Sequence, residues 1–144
     1  MQTFLPYPDY RKSAQSLDNK RLGKQRVECL QILKALTLPT YGWQNHPAVN
    51  MWRGYERAFI AYSLDVCDAW VARGYKDTCK QKIIDLAAGL HLSAQRPHWL
   101  GDEAVHASHR SNLLRKDPQF YGKYAWAEPD HLPYVWPLPK EVTP

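Results

Sequence analysis

The chain is poor in cysteine. Cys29, Cys67 and Cys79 are the only three in 144 residues, and they form no CxxC pair. An odd number leaves at least one thiol outside any intramolecular disulfide framework, so a reducing, cytoplasmic setting is expected. Long apolar runs are also missing. No stretch approaches the roughly 18 residues of a membrane span, and Met1-Gln2-Thr3-Phe4-Leu5-Pro6 lacks the basic-then-apolar order of an export signal. There is no Walker loop, no GxGxxG and no GxSxG, so nucleotide hydrolysis and serine-hydrolase chemistry lack their minimal parts. His106 and His109, with Asp102 and Glu103 upstream, are not spaced one helical turn apart as in HExxH, and no cysteine lies near them. No metal and no organic cofactor is expected on these grounds.

What is present fits one globular domain over residues 1–144. Hydrophobic residues make up 44% and charged residues 23%, enough for a core and too balanced for wholesale disorder. Nineteen Lys and Arg against fourteen Asp and Glu give a net charge of +5, a surplus compatible with a polyanionic partner. No internal repeat or low-complexity tract interrupts the chain. Strand-like alternation is scarce while helical spacing recurs, so the expected fold class is all-α, a compact helical bundle.

The spacing predicts helices over 9–17 and 18–36. On the second, Leu22, Cys29, Leu30, Leu33 and Leu36 form the packed side, and Arg21, Lys24, Glu28 and Gln31 gather on the opposite flank. A loop at 38–43, ending at Trp43, precedes Asn45-His46-Pro47. From there the ladder Met51, Trp52, Tyr55, Phe59, Tyr62, Val66 and Trp70 predicts one continuous central helix over 48–73, with Gly54 kept for close packing and Gly74 as its C-cap. A shorter helix over 78–88 and a loop carrying His91, Arg96, His98 and Trp99 follow. Asp102 then caps a helix that runs to Lys116. Prolines at 118, 129, 133, 137, 139 and 144 turn the rest into a short turn and, from residue 127 onward, an extended strap packed by Tyr134 and Trp136.

Two basic groups stand out. Lys20, Arg21, Lys24 and Arg26 lie on the 18–36 helix, with Arg26 leaning toward its packed side. They suit either a phosphate backbone or an ordinary solvated face in which Lys24 and Glu28 pair at i,i+4. Arg110, Arg115, Lys116 and Lys123 are interleaved with His106, His109, Phe120, Tyr121, Tyr124 and Trp126. Charge beside aromatic planes is what an unstacked nucleotide needs, although core aromatics with cations at a helix C-terminus would read the same way.

Arg26-Val27-Glu28, His46 leading a helix that ends Ala72-Arg73-Gly74-Tyr75, Ser108-His109-Arg110, and Phe120-Tyr121-Gly122-Lys123-Tyr124 together resemble the pyrimidine-dimer DNA glycosylases of the endonuclease V type. The likeness follows element order over most of residues 1–126. It implies a helical domain that kinks duplex DNA, flips a nucleotide and excises a damaged or modified pyrimidine, acting as a monomer with an N-terminal amine and one glutamate. Glu28 matches that glutamate, and Met1 would supply the amine. The resemblance further implies phosphate contacts from Arg21, Lys24 and Arg26 and, in the later helix, from Arg110, Arg115 and Lys116, with His109 beside them.

A fixed carboxylate beside C1′ would stabilise the oxocarbenium-like transition state of N-glycosidic cleavage. An α-amine, with a reference pKa of about 7.7 to 8.0, is partly neutral near physiological pH and can attack the same carbon. The chain departs from the family pattern in two places. Bulky Gln2 should leave Met1 unprocessed, so either its own amine or a water is the nucleophile, and associated AP lyase activity is open. Val27 precedes Glu28 where the family carries arginine, which leaves the identity of the excised pyrimidine open as well. The competing reading is a non-catalytic nucleic-acid-binding module that uses the same basic faces.

Overall fold

In a computed structural model, residues 1–137 are described except 43, 91 and 93. Trp43, His91 and the strap residues 138–144, with Pro139 and Pro144, lie outside the described residues. Among the rest the regular structure is helical throughout: α1 (Tyr10–Ser16), α2 (Asn19–Thr37), α3 (Pro47–Asn50), α4 (Glu56–Ala72), α5 (Cys79–Ala87), α6 (Glu103–Lys116) and α7 (Pro118–Tyr121), followed by a 3-10 turn over Gly122–Tyr124. The all-α reading of the sequence holds. No described helix is long and apolar enough to cross a membrane.

Helix starts follow short carboxylates. Asp9, Asp18, Asp102 and Asp117 each accept from a backbone N–H of the first turn they cap. Gly74, at φ 94°, ends α4 in the left-handed conformation that glycine adopts without penalty.

The expected continuous helix over 48–73 is in fact two. Gly54 adopts φ 88° and breaks it, and the chain turns through residues 51–55 before α4 begins. The turn is closed by Trp52 N–H to Val49 O at 3.0 Å and Tyr55 N–H to Trp52 O at 2.7 Å. These tight hydrogen bonds keep Met51, Trp52 and Tyr55 pointing inward, so the apolar ladder survives the break that its periodicity would deny.

α4 packs on α1 and α2, and α5 closes against α2 and α4. Trp52 sits at the centre, fully buried, stacked on Tyr62 at 5.5 Å and edge-on to Phe59 and Trp99 at 5.1 and 5.0 Å. Gly23 of α2 permits a close approach: a Cβ there would lie 2.9 Å from the Trp70 ring. All three cysteines are free and buried, and burial pushes the Cys29 thiol up to about 12, so none is a poised nucleophile.

Residues 2–6 form an arm threaded between helices, with Thr3, Phe4 and Leu5 buried. Its backbone groups are satisfied by side chains. Phe4 N–H donates to Gln25 Oε1 at 3.0 Å, and Tyr62 Oη donates to Phe4 O at 2.6 Å. Leu5 N–H donates to His109 Nδ1 at 3.3 Å, His106 Nδ1 lies 2.8 Å from Leu5 O, and Arg110 Nη1 donates to Pro6 O at 2.8 Å. On its other side α6 holds the segment after Trp126: Asn112 Nδ2 donates to Leu132 O at 3.0 Å, and Val135 N–H donates to Ser108 Oγ at 3.1 Å. This double duty explains why α6 buries Ser108, His109, Ser111 and Asn112 rather than an apolar stripe.

Candidate active site

The first turns of α2, the start of the arm and the last turn of α6 enclose an open pocket of about 330 Å³. That lies at the small end of the roughly 300–1,000 Å³ usual for ligand sites, suited to a nucleoside-sized group rather than a duplex. Its lining brings together Met1, Lys20, Arg21, Lys24, Glu28 and Lys116, all singled out in the sequence, with Gln2 and Phe4. Helical geometry accounts for the α2 members. Residues 21, 24 and 28 are spaced by three and four, so they share one face.

Glu28 is the lone acid in this lining. The sequence pattern places it on the open flank of α2, but the residue is only 6% exposed because the arm lies across it. Its Oε2 stands 3.9 Å from the Met1 amine and its Oε1 3.8 Å from Lys24 Nζ. Both distances are too long for hydrogen bonds, and Oε2 is sealed from solvent without a partner among the described residues. A carboxylate held in this way has unspent accepting capacity, which native proteins seldom leave idle.

Cations crowd the rim. The Lys116 ammonium is pushed below the usual lysine range, first by partial burial and then by Arg21, Arg115 and Lys24, with Glu28 opposing. Arg21 is steadied by Asp18 at 3.2 Å, and Asp18 also accepts from the Tyr121 hydroxyl. Burial and those bonds oppose each other on Asp18, and the bonds win, holding its carboxyl below the usual range. His46, which caps α3 by accepting Ala48 N–H at Nδ1, lies within the field of both the amine and Glu28. Burial first, then the ammonium, lowers its pKa against the pull of Glu28. A second pocket, about 230 Å³ between α1 and α4, is lined by Asp65 and Asp68 with Arg11 and does not offer the same attraction to phosphate.

Other residues marked in the sequence lie elsewhere. Arg26 points to the far side of α2, ion-paired with Asp77 and stacked over Trp70 at 4.7 Å. His109, expected at a DNA surface, is wholly buried; its Nδ1 is committed to Leu5, and burial lowers its pKa to about 3. Arg110, expected to grip phosphate, is 8% exposed and tied to Glu128, Glu103 and the Pro6 carbonyl. Their burial follows from the arm and the segment after Trp126 lying on both sides of α6. Arg115, by contrast, is exposed and bonded to Asn112. Tyr121 is core, and Phe120, Tyr124 and Trp126 are partly buried around it. Among the described residues no cluster of three or more His, Cys, Asp or Glu is arranged to hold a metal ion.

Two residues that border the site without lining it are not marked by the sequence reading. Gln25, one turn before Glu28, is 1% exposed and bonds the arm. His46 stood out only as the residue leading a helix. The i,i+3 relation of Gln25 to Glu28 was available as a signal, but an uncharged residue on a basic helix draws no attention.

The pocket sets one desolvated carboxylate beside an amine within a rim of lysines and Arg21. The family model described as pyrimidine dimer DNA glycosylase matches residues 1–83, and the chain belongs to that family. The matched span contains the arm and α2, hence every pocket residue but Lys116. No curated protein and no solved structure matches the chain.

Proposed function

We propose that the protein is a DNA glycosylase that binds duplex DNA as a monomer, flips a damaged or modified pyrimidine nucleotide, and breaks its N-glycosidic bond beside Glu28. The observation that carries the reading is the Met1 amine and the Glu28 carboxylate 3.9 Å apart in a pocket otherwise rimmed by cations. The lysines and Arg21 attract the phosphates on either side of the flipped nucleotide. Extrusion is what lets the base's sugar reach a recessed carboxylate. As the C1′–N bond stretches, the electron pair leaves with the base and positive charge grows on the sugar, which Glu28 stabilises electrostatically.

The neutral amine of Met1 then adds its lone pair to C1′. The nitrogen gives up a proton and O4′ takes one as the sugar ring opens to an imine, from which loss of a C2′ proton to water expels the 3′ phosphate by β-elimination and breaks the strand. Water adding in place of the amine would leave an intact abasic site. Ultraviolet-irradiated duplexes and duplexes carrying modified pyrimidines, assayed separately for abasic sites and strand breaks, test the proposal. An abasic site formed in one of these substrates, by cleavage of the bond between base and sugar, is the expected result. Salt-sensitive binding without any base release would contradict it and favour a non-catalytic binding module.

A further inference from the structure

The amine can serve only if its approach to Glu28 is fixed, and the flexible end of a chain does not fix itself. Residues 2–4 have no strand partner; one side chain takes that place. Gln25 is fully committed to them, its Oε1 accepting from Phe4 N–H at 3.0 Å and its Nε2 donating to Gln2 O at 2.8 Å. The same Nε2 lies 3.8 Å from Cys29 Sγ, one turn further along α2. A glutamine amide presents an acceptor and a donor side by side, which is how one residue of an adjacent parallel strand would present its own C=O and N–H to residues 4 and 2.

The two contacts pin the arm on both sides of Thr3. Thr3 is held from the far side, with its hydroxyl accepting from Trp52 Nε1 at 3.2 Å. From Gln2 only one peptide link remains to the amine. Gln25 and Glu28 also share one helix, three residues apart, so the clamp and the carboxylate move as a rigid unit.

Resting on the glycosylase reading above, we infer that Gln25 is a positioning residue that sets the Met1 amine against Glu28 for attack on the sugar. It touches neither substrate nor reacting atoms and works through the arm. Losing the clamp lets the amine wander while Glu28 keeps its place. Amine-dependent chemistry then falls, and carboxylate-dependent bond breaking by water does not. A displacement of about 1 Å in a reacting group is enough for losses on the order of a hundredfold.

The test is Gln25→Met, which keeps the volume and removes both hydrogen bonds, measured on a base-releasing duplex under single-turnover conditions. Three quantities are read: DNA affinity, total base release, and the share of product captured as a covalent protein–DNA adduct by borohydride. The inference predicts affinity within about threefold of wild type and a captured share reduced at least about tenfold relative to base release. A merely structural glutamine would lower capture and release together, in step with the melting temperature, leaving their ratio unchanged; that outcome overturns the inference and leaves the glycosylase reading intact. A wild-type protein that releases base but forms no adduct overturns it in the same way. A wild-type protein that releases no base overturns the glycosylase reading and this inference with it. Should Gln25→Met fail to fold, Gln25→Glu, which keeps the acceptor for Phe4 and loses the donor to Gln2, carries the same test.

Discussion

Glu28 and Arg110 are ionisable side chains buried to nearly the same degree, at 6% and 8% exposure, and they are treated in opposite ways. Arg110 is saturated. Its guanidinium bonds Glu128 through Nε at 2.7 Å and Nη2 at 3.2 Å, reaches Glu103, and donates to the Pro6 carbonyl. Those bonds raise its pKa against the burial that would lower it. Glu28 has two cations almost 4 Å away and accepts no hydrogen bond at Oε2. The difference separates a charge that ties three parts of the chain together from one whose hydrogen-bonding capacity is unspent. Burial alone does not reveal which is which; the count of satisfied partners does.

The contrast breaks most visibly at Arg110. Arg110→Met leaves Glu128 and the Pro6 carbonyl without their donor and should cost about 3 kcal/mol, lowering the melting temperature by roughly 10 °C. Removing the Glu28 charge should change stability by less than about 1 kcal/mol, since no hydrogen bond at Oε2 is lost. Thermal melts of the two variants side by side check this; equal losses would erase the distinction.

A smaller effect comes from the neutral imidazoles of the same region. His46, His106 and His109 all have pKa values lowered chiefly by burial, that of His109 to about 3. Below the ordinary imidazole range near 6.5 the unfolded chain takes up protons that the native rings refuse. Stability is therefore fully present above that range and declines as pH falls, with His109 contributing down to about pH 3. For His109 the cost is about 1.4 kcal/mol per pH unit within that window. Urea unfolding between pH 7 and 5 should show the slope, and His109→Gln should remove one ring's share while still accepting from Leu5. An unchanged slope in that variant would contradict the assignment.

The smallest effect concerns the rim. Lys24→Ala and Lys116→Ala should each reduce the salt dependence of duplex binding by about 0.9 in the log–log slope, whereas Lys80→Ala, whose ammonium pairs with Asp68, should not. Equal slopes for all three would mean that the pocket rim is not the phosphate-binding face.

Much of this was legible in the sequence where the cause is local. Carboxylate caps, the left-handed Gly74 and the i,i+4 relation of Lys24 to Glu28 depend on residues a turn apart. The break at Gly54 was hidden because the turn that makes it preserves the inward spacing of Met51, Trp52 and Tyr55. The roles of α6 were hidden for another reason. His109 bonds Leu5 and Arg110 bonds Pro6, each 104 residues away in the chain, so a helix without an amphipathic stripe looked like a surface. Arg26 and Lys24 are two residues apart yet face different ways, and the partner that decides the matter, Asp77, lies 51 residues further on. The sequence pattern could place charges on a helix but not the arm that covers one of them.

Glu28→Gln, assayed at once for duplex affinity and for base release, tests the central claim most directly. The account predicts affinity within about threefold of wild type and base release lowered by about a thousandfold or more, because the amide cannot answer the charge that develops on the sugar. A glutamine variant that binds and releases base at the wild-type rate would contradict it.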